Sequence, residues 1–140
     1  MSEFRFQDLG IWQKAVEIGD RLLDEADGLE TRRLYRFAEQ LRSAGLSVSN
    51  NIAEGSGSQS DKEFASFLNI AKRSAFENAN MLIVFGRRKL IPKETVESIL
   101  ADLAEECRMI MGFIKTLRRG RSMLRAPCSM LCATHASRTT

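Results

Sequence analysis

The chain has 140 residues, of which 44% are hydrophobic and 28% are charged, a balance typical of one globular domain. It contains neither an apolar run of roughly 18 residues, as a membrane span requires, nor a basic-then-apolar N-terminus, so we expect a cytoplasmic protein. The net charge of +3 is uneven: residues 1–30 hold 8 acidic and 3 basic residues, whereas residues 31–90 hold 10 basic and 5 acidic ones. Any affinity for nucleic acid must therefore depend on local basic clusters.

Apolar residues that recur every three or four positions predict four helices, the first over residues 8–26 with Asp8 as its N-cap. Its apolar stripe covers about half of the helix circumference, because Ile11, Ile18 and Leu22 widen it. One partner helix rarely covers so broad a stripe. We therefore assign these three residues to a subunit interface.

The second helix is predicted over residues 31–54, and Gly55 fits the left-handed position that follows a helix end. Its inward stripe is Leu34, Phe37, Leu41, Ala44, Val48 and Ile52. A second stripe is polar, and its members are Arg33, Arg36, Gln40, Ser43, Ser47, Asn51 and Glu54. Two interpretations stay open for this polar stripe: a solvated face, or a helix–helix or subunit contact satisfied by hydrogen bonds.

Ser60 and Glu63 fit a capping box that starts the third helix, which is predicted to end near Arg87. Pro92 fits the first turn of the fourth helix, which is predicted to end at Gly120. Short loops between long helices predict an all-α, antiparallel up-down-up-down four-helix bundle over residues 1–120. Residues 121–140 lose the periodicity, so we expect a basic, disordered tail.

Three motifs in the chain resemble those of one protein family. They are Phe6-x-Asp8-Leu9-x-x-Trp12, Asn51-Ile52-Ala53-Glu54-Gly55 and Phe64-x-x-Phe67-Leu68-x-Ile70-Ala71. In this order and spacing they resemble the four-helix-bundle proteins encoded in intervening sequences of 23S ribosomal RNA genes, and the resemblance covers about residues 4–119. The polar residues of the family pattern are Gln40, Ser47, Asn51, Glu54 and Ser74.

The resemblance implies a homopentameric ring without catalytic activity or cofactor. It also implies kinship with the accessory variability protein of diversity-generating retroelements, which associates with a reverse transcriptase and with nucleic acid. Independently of the resemblance, Phe76 and Ile83 recur one heptad apart on an outward face of the third helix, so we add them to the predicted subunit interface.

Within the third helix, Ser74 and Asn78 fall on the inward stripe. We interpret them as a hydrogen-bonded pair in the core rather than as a ligand site.

Basic residues near the starts and ends of helices form three groups. In an up-down bundle, the start of the second helix and the end of the third lie at the same end. The six basic residues there, which we predict to contact nucleic acid, are Arg32, Arg33, Arg36, Arg87, Arg88 and Lys89. Lys115, Arg118, Arg119 and Arg121 would lie at the opposite end. The alternative is ordinary solubilising charge.

No metal or catalytic site is expected. Cys128, Cys132 and His135 supply three ligands at a spacing that no standard zinc finger uses, and Cys107 is interpreted as a small core residue. The sequence therefore predicts a non-catalytic, oligomeric protein associated with RNA or DNA. The alternative function is a protein-interaction scaffold, such as an accessory subunit of a polymerase-like partner.

Overall fold

The computed structural model describes the backbone of residues 2–124 and the side chains of residues 2–120. Its elements are a one-turn 3-10 helix, Arg5–Asp8, and four α-helices: α1 Gly10–Thr31, α2 Tyr35–Ser56, α3 Asp61–Arg87 and α4 Lys93–Leu124. These residues contain no strand, which confirms the predicted all-α class. Each helix packs on the next and α1 also packs on α4, so the four form an antiparallel up-down-up-down bundle.

Aliphatic side chains from all four helices fill one continuous core. The fully buried ones include Leu22, Leu41, Ile52, Leu68, Leu82, Ile99 and Ile110. Burying each such side chain contributes about 1.5–3 kcal/mol, so this core supplies most of the free energy that holds the helices together.

The first helix begins at Gly10 rather than at Asp8, and it ends at Thr31 rather than at Ala26. Asp8 instead closes the 3-10 helix, where its carboxylate accepts a hydrogen bond of 2.6 Å from the Ser2 hydroxyl. The later end follows from Leu29, which is 2% exposed and continues the inward stripe by one more turn.

Glycines allow close contact at two places along α2. A Cβ on Gly19 would lie 2.8 Å from the carbonyl oxygen of Gly45, so α1 and α2 touch through their backbones. Gly55 lies inside α2, without a positive φ, and a Cβ there would lie 2.6 Å from Cβ of Phe67. The prediction of Gly55 as a left-handed stop is therefore wrong, because this glycine serves packing against α3.

Phe37 was predicted to point inward, but its side chain is 41% exposed and Ala38 is buried in its place. The inward positions of α2 continue through Ala38, Leu41 and Gly45, so Phe37 falls beside that stripe. Its ring packs edge-on against Phe85, with the ring centroids 5.4 Å apart.

The predicted start of α3 is confirmed, because Ser60 Oγ accepts a hydrogen bond of 3.1 Å from the Glu63 amide. Pro92 immediately precedes α4, and its carbonyl accepts the Val96 amide at 3.0 Å. The fourth helix passes through Gly120 and reaches Leu124, so the predicted boundary at Gly120 does not end it. Leu117 is the last buried residue among the described side chains, as the sequence pattern predicts.

Candidate nucleic-acid interface

Arg33 and Lys89 end α1 and α3 in the same way. Both have positive φ, at 63° and 58°, and they are the two non-glycine residues with positive φ in residues 2–124. The amide of each bonds to the helix carbonyl three residues back, and the next amide, of Leu34 or Leu90, bonds five residues back. This is the Schellman motif, in which the left-handed residue is usually glycine.

A basic residue in this conformation carries a cost. The left-handed region is disfavoured by about 1–2 kcal/mol for a residue with a Cβ, whereas glycine enters it freely. A cation near a helix C-terminus recovers about 0.3–1 kcal/mol through the helix dipole, which offsets the cost in part. Strained backbone positions tend to cluster at functional sites, so the strain at Arg33 and Lys89 marks this end of the bundle as a candidate site.

Arg32 joins the two turns that carry these residues. Its Nη1 donates a hydrogen bond of 3.2 Å to the backbone carbonyl of Leu90. The α1–α2 turn therefore lies against the α3–α4 turn, as predicted from the topology. We call the surface formed by Arg32, Arg33, Arg36, Arg87, Arg88, Lys89 and Lys93 the basic end. The sequence analysis missed Lys93, which its position directly after Pro92 could have revealed.

The charges of the basic end are largely uncompensated. Its seven side chains are exposed, and none of the six predicted ones forms an ion pair among the described side chains. Lys93 lies 3.9 Å from Glu97 in an exposed ion pair. The nearby acidic residues Asp27 and Glu30 both pair with Arg42 instead. A concentration of unpaired, exposed cations is what phosphate groups require for binding.

The basic residues near the end of α4 lie elsewhere. A Cβ on Gly120 would lie 3.6 Å from the carboxylate of Asp61, at the start of α3. Lys115, Arg118 and Arg119 therefore belong to the opposite end of the bundle from Arg32 and Lys89, as predicted.

Comparison with known proteins adds a family to this geometry. The family model described as 23S rRNA-intervening sequence protein matches residues 7–112. The chain belongs to this family. A solved structure described as a protein with unknown function from the S23 ribosomal protein family, from Bacteroides thetaiotaomicron, is 28% identical. The match has a TM-score of 0.71 and covers 75% of this chain and 98% of that one. No curated protein matches the chain.

The polar residues of the intervening-sequence pattern are divided between two environments. Gln40 and Ser47 line an open groove of about 390 Å³ between α2 and α3, together with Ser43, Glu77 and Asn80. Thus the polar stripe borders a helix–helix groove that water can reach. Arg33 was predicted to belong to this stripe, but α2 begins at Tyr35 and leaves Arg33 in the preceding turn.

The remaining pattern residues make local contacts or face solvent. The side-chain Nδ2 of Asn51 donates a hydrogen bond of 2.7 Å to the Ser47 backbone carbonyl, and Glu54 is exposed. Ser74 is half-buried, whereas Asn78 is fully buried and neither of its amide atoms has a partner. The prediction of a hydrogen bond between Ser74 and Asn78 is therefore wrong. Asn78 faces the core from α3, and its side-chain amide is unpaired among the described residues.

The outward apolar residues correspond only in part to the predicted interface. Phe76 and Ile83 are 65% and 48% exposed, as an intersubunit contact requires. Ile11, Ile18 and Leu22, however, are 5%, 3% and 0% exposed within the single chain. Their assignment to an interface is wrong, because the neighbouring helices of the same chain already cover the broad face of α1.

The α3–α4 side of the bundle carries features that the sequence analysis assigned differently. Cys107 is half-buried rather than buried, and it lines an apolar groove of about 340 Å³ with Phe76 and Leu103. Burial raises the pKa of the Cys107 thiol. The inward position beside it belongs to Glu106, which the sequence analysis missed, although the 3–4–4 spacing from Leu103 through Glu106, Ile110 and Ile114 indicates it.

Other site types find no support in the described part of the chain. No helix there is long and apolar enough to cross a membrane. Among the same residues, no group of His, Cys, Asp or Glu side chains could hold a metal ion. Cys128, Cys132 and His135 lie outside the described residues, so the structure does not test the sequence-based expectation that they form no zinc site.

Proposed function

We propose that this intervening-sequence protein is a non-catalytic, oligomeric protein that binds RNA through the phosphates at its basic end. The observation that carries the proposal is the group of six exposed cations, without ion pairs among the described side chains, on two turns that contact each other and on the adjoining helix ends. Phosphate contacts by Lys and Arg supply most of the affinity of proteins that bind nucleic acid without reading its sequence.

Assembly would strengthen this binding. In a ring, each subunit contributes one basic end, so a single RNA that contacts two or more of them gains avidity without new kinds of contact. The exposed Phe76 and Ile83 support a subunit contact on α3. The proposal therefore expects binding that is sensitive both to salt and to subunit assembly.

The test is the binding of a fluorescent RNA hairpin at about 50 mM and about 200 mM salt, where phosphate-driven affinity falls steeply. The variant Arg33→Asn, Arg36→Gln, Arg88→Gln removes three cations, and asparagine suits the left-handed position of Arg33. We expect weaker binding and a log–log salt slope that is flatter by roughly 0.7–0.9 per lost contact. The control variant Lys62→Gln, Arg73→Gln, Arg108→Gln removes three exposed cations away from the basic end.

Equal losses in both variants would show that general charge, not this surface, attracts the RNA. If the parent protein binds no RNA or DNA even at low salt, the alternative of a protein-interaction scaffold replaces the proposal. The polar groove between α2 and α3, lined by Gln40, Ser47 and Glu77, is the surface that supports that alternative.

A further inference from the structure

A pocket of about 620 Å³ opens within the basic end, between the last turn of α3 and the first turn of α4. Sites for small molecules and cofactors usually have volumes of about 300–1,000 Å³. Arg32 reaches this pocket from the α1–α2 turn, so three separate segments of the chain line it.

The pocket has an apolar wall and a cationic rim. Leu90, Ile91, Pro92 and Val96 supply the wall. Arg32, Arg87, Lys89 and Lys93 supply four positive charges at the rim, against one carboxylate, that of Glu97. A single carboxylate ligand would leave most of this charge unmatched. A ligand with two negative charges on one group and an apolar body matches both parts of the pocket.

The backbone shapes this pocket. A Cβ on Gly86 would lie 3.0 Å from Cγ2 of Val96, so α3 and α4 approach closely where these two residues line the pocket. The Schellman turn fixes Lys89 in its left-handed conformation, and the Leu90 carbonyl holds Arg32 at 3.2 Å. Arg32 and Lys89 are therefore positioned by the turns and not by pairing with acids.

We propose that this pocket binds a nucleoside 5′-monophosphate, with the phosphate dianion at the rim and the nucleoside against the apolar wall. The nucleotide can be free, or it can be the 5′-phosphorylated end of an RNA strand; the second source rests on the proposed function. Because the wall presents no side chain able to hydrogen-bond a base edge, the pocket should accept any of the four bases.

The test uses the full chain with labelled methyl groups, since Leu90, Ile91 and Val96 report on the wall by NMR. Uridine 5′-monophosphate should shift these signals saturably, uridine should not, and inorganic phosphate should bind more weakly. Lys89→Asn keeps the left-handed turn and should weaken nucleotide binding about fivefold. Arg73→Gln, an exposed charge outside the pocket, should leave it unchanged.

Two results would overturn the proposal: unshifted wall methyl groups at saturating nucleotide, or equal weakening by Lys89→Asn and Arg73→Gln. A 5′-phosphorylated RNA pentamer that binds more tightly than its 5′-hydroxyl form identifies the RNA end as the source. Equal binding of the two pentamers, with nucleotide still bound, identifies the free nucleotide. If the protein binds RNA but uridine 5′-monophosphate shifts none of the wall signals, the pocket is not a nucleotide site and the proposed function is unaffected.

Discussion

Glu105 and Glu106 are neighbours in the chain but lie in opposite environments. Glu105 pairs with Lys14 at 3.3 Å on the surface, whereas Glu106 is fully buried and neither of its carboxylate oxygens has a hydrogen-bond partner. Burial raises the pKa of Glu106 to about 8, although the charge of Lys14 opposes the shift. A carboxyl group without partners in a core is expected to be neutral, so Glu106 is protonated at pH 7.

The free energy of unfolding should therefore fall as the pH rises from the unfolded pKa of 4.5 towards 8. In that window the unfolded chain loses the proton of Glu106 while the folded chain keeps it, so rising pH favours unfolding. The loss should be on the order of 3 kcal/mol between about pH 5 and about pH 7.5. Urea denaturation at several pH values measures it. Glu106→Gln should remove most of the dependence, and Glu105→Gln should retain it.

The left-handed turns predict a conflict between stability and binding. Lys89→Gly and Lys89→Ala both remove the charge, but only glycine relieves the positive φ, so the glycine variant should be more stable by about 1 kcal/mol. Both should bind RNA more weakly than the parent. At Arg88, whose φ is −81°, the order of the two variants should reverse. Equal stability of Lys89→Gly and Lys89→Ala in chemical denaturation would contradict the assigned strain.

Assembly should depend on the outward face of α3. Phe76→Glu with Ile83→Glu should dissociate the oligomer without loss of helicity, because both side chains lie outside the core. Light scattering gives the mass and circular dichroism the helicity. Ile70→Glu, an exposed apolar position on another face of α3, should leave the mass unchanged. A parent protein that is monomeric at all micromolar concentrations would contradict the subunit contact.

Removing residues 125–140 should leave the thermal transition almost unchanged. Ile114 and Leu117 are the last core residues in the described part of α4, so the truncation keeps every side chain known to be buried. Calorimetry of the two forms tests this expectation. Zinc can also be added to both forms. If zinc raises the transition temperature of the full chain but not that of the truncated one, the result would support a metal site at Cys128, Cys132 and His135.

The fold could be predicted from the sequence because helical periodicity extends over each of the four segments. The end of α3 near Arg87 was predicted, but the end of α1 was harder, since its stop at Arg33 uses a basic residue where glycine is the usual signal. Periodicity also could not tell which apolar residues a chain buries against itself. Ile18 was assigned to a subunit interface because one partner helix could not cover so broad a stripe, but neighbouring helices of the same chain bury it.

The topology predicted that the basic residues of the candidate site share one end of the bundle, but it did not predict the pocket among them. Topology placed Arg32 and Lys89 at one end, because helix directions alternate in an up-down bundle. The pocket between them is lined by Gly86 and by the Schellman turn at Leu90, and neither leaves a pattern that spacing alone reveals. Glu106 was missed because an acidic residue on an inward stripe is easily taken for a surface position.

The backbone contact between Gly19 and Gly45 bears on the order in which the bundle assembles. These glycines lie on consecutive helices joined by the short turn of residues 32–34, so closing this contact costs little chain entropy. The α1–α2 hairpin is therefore expected to be formed in the folding transition state, ahead of the docking of α4. Gly19→Ala, whose Cβ would lie 2.8 Å from the Gly45 carbonyl oxygen, should slow folding more than it speeds unfolding. Stopped-flow refolding measures both rates, and a change confined to unfolding would place this contact late in folding.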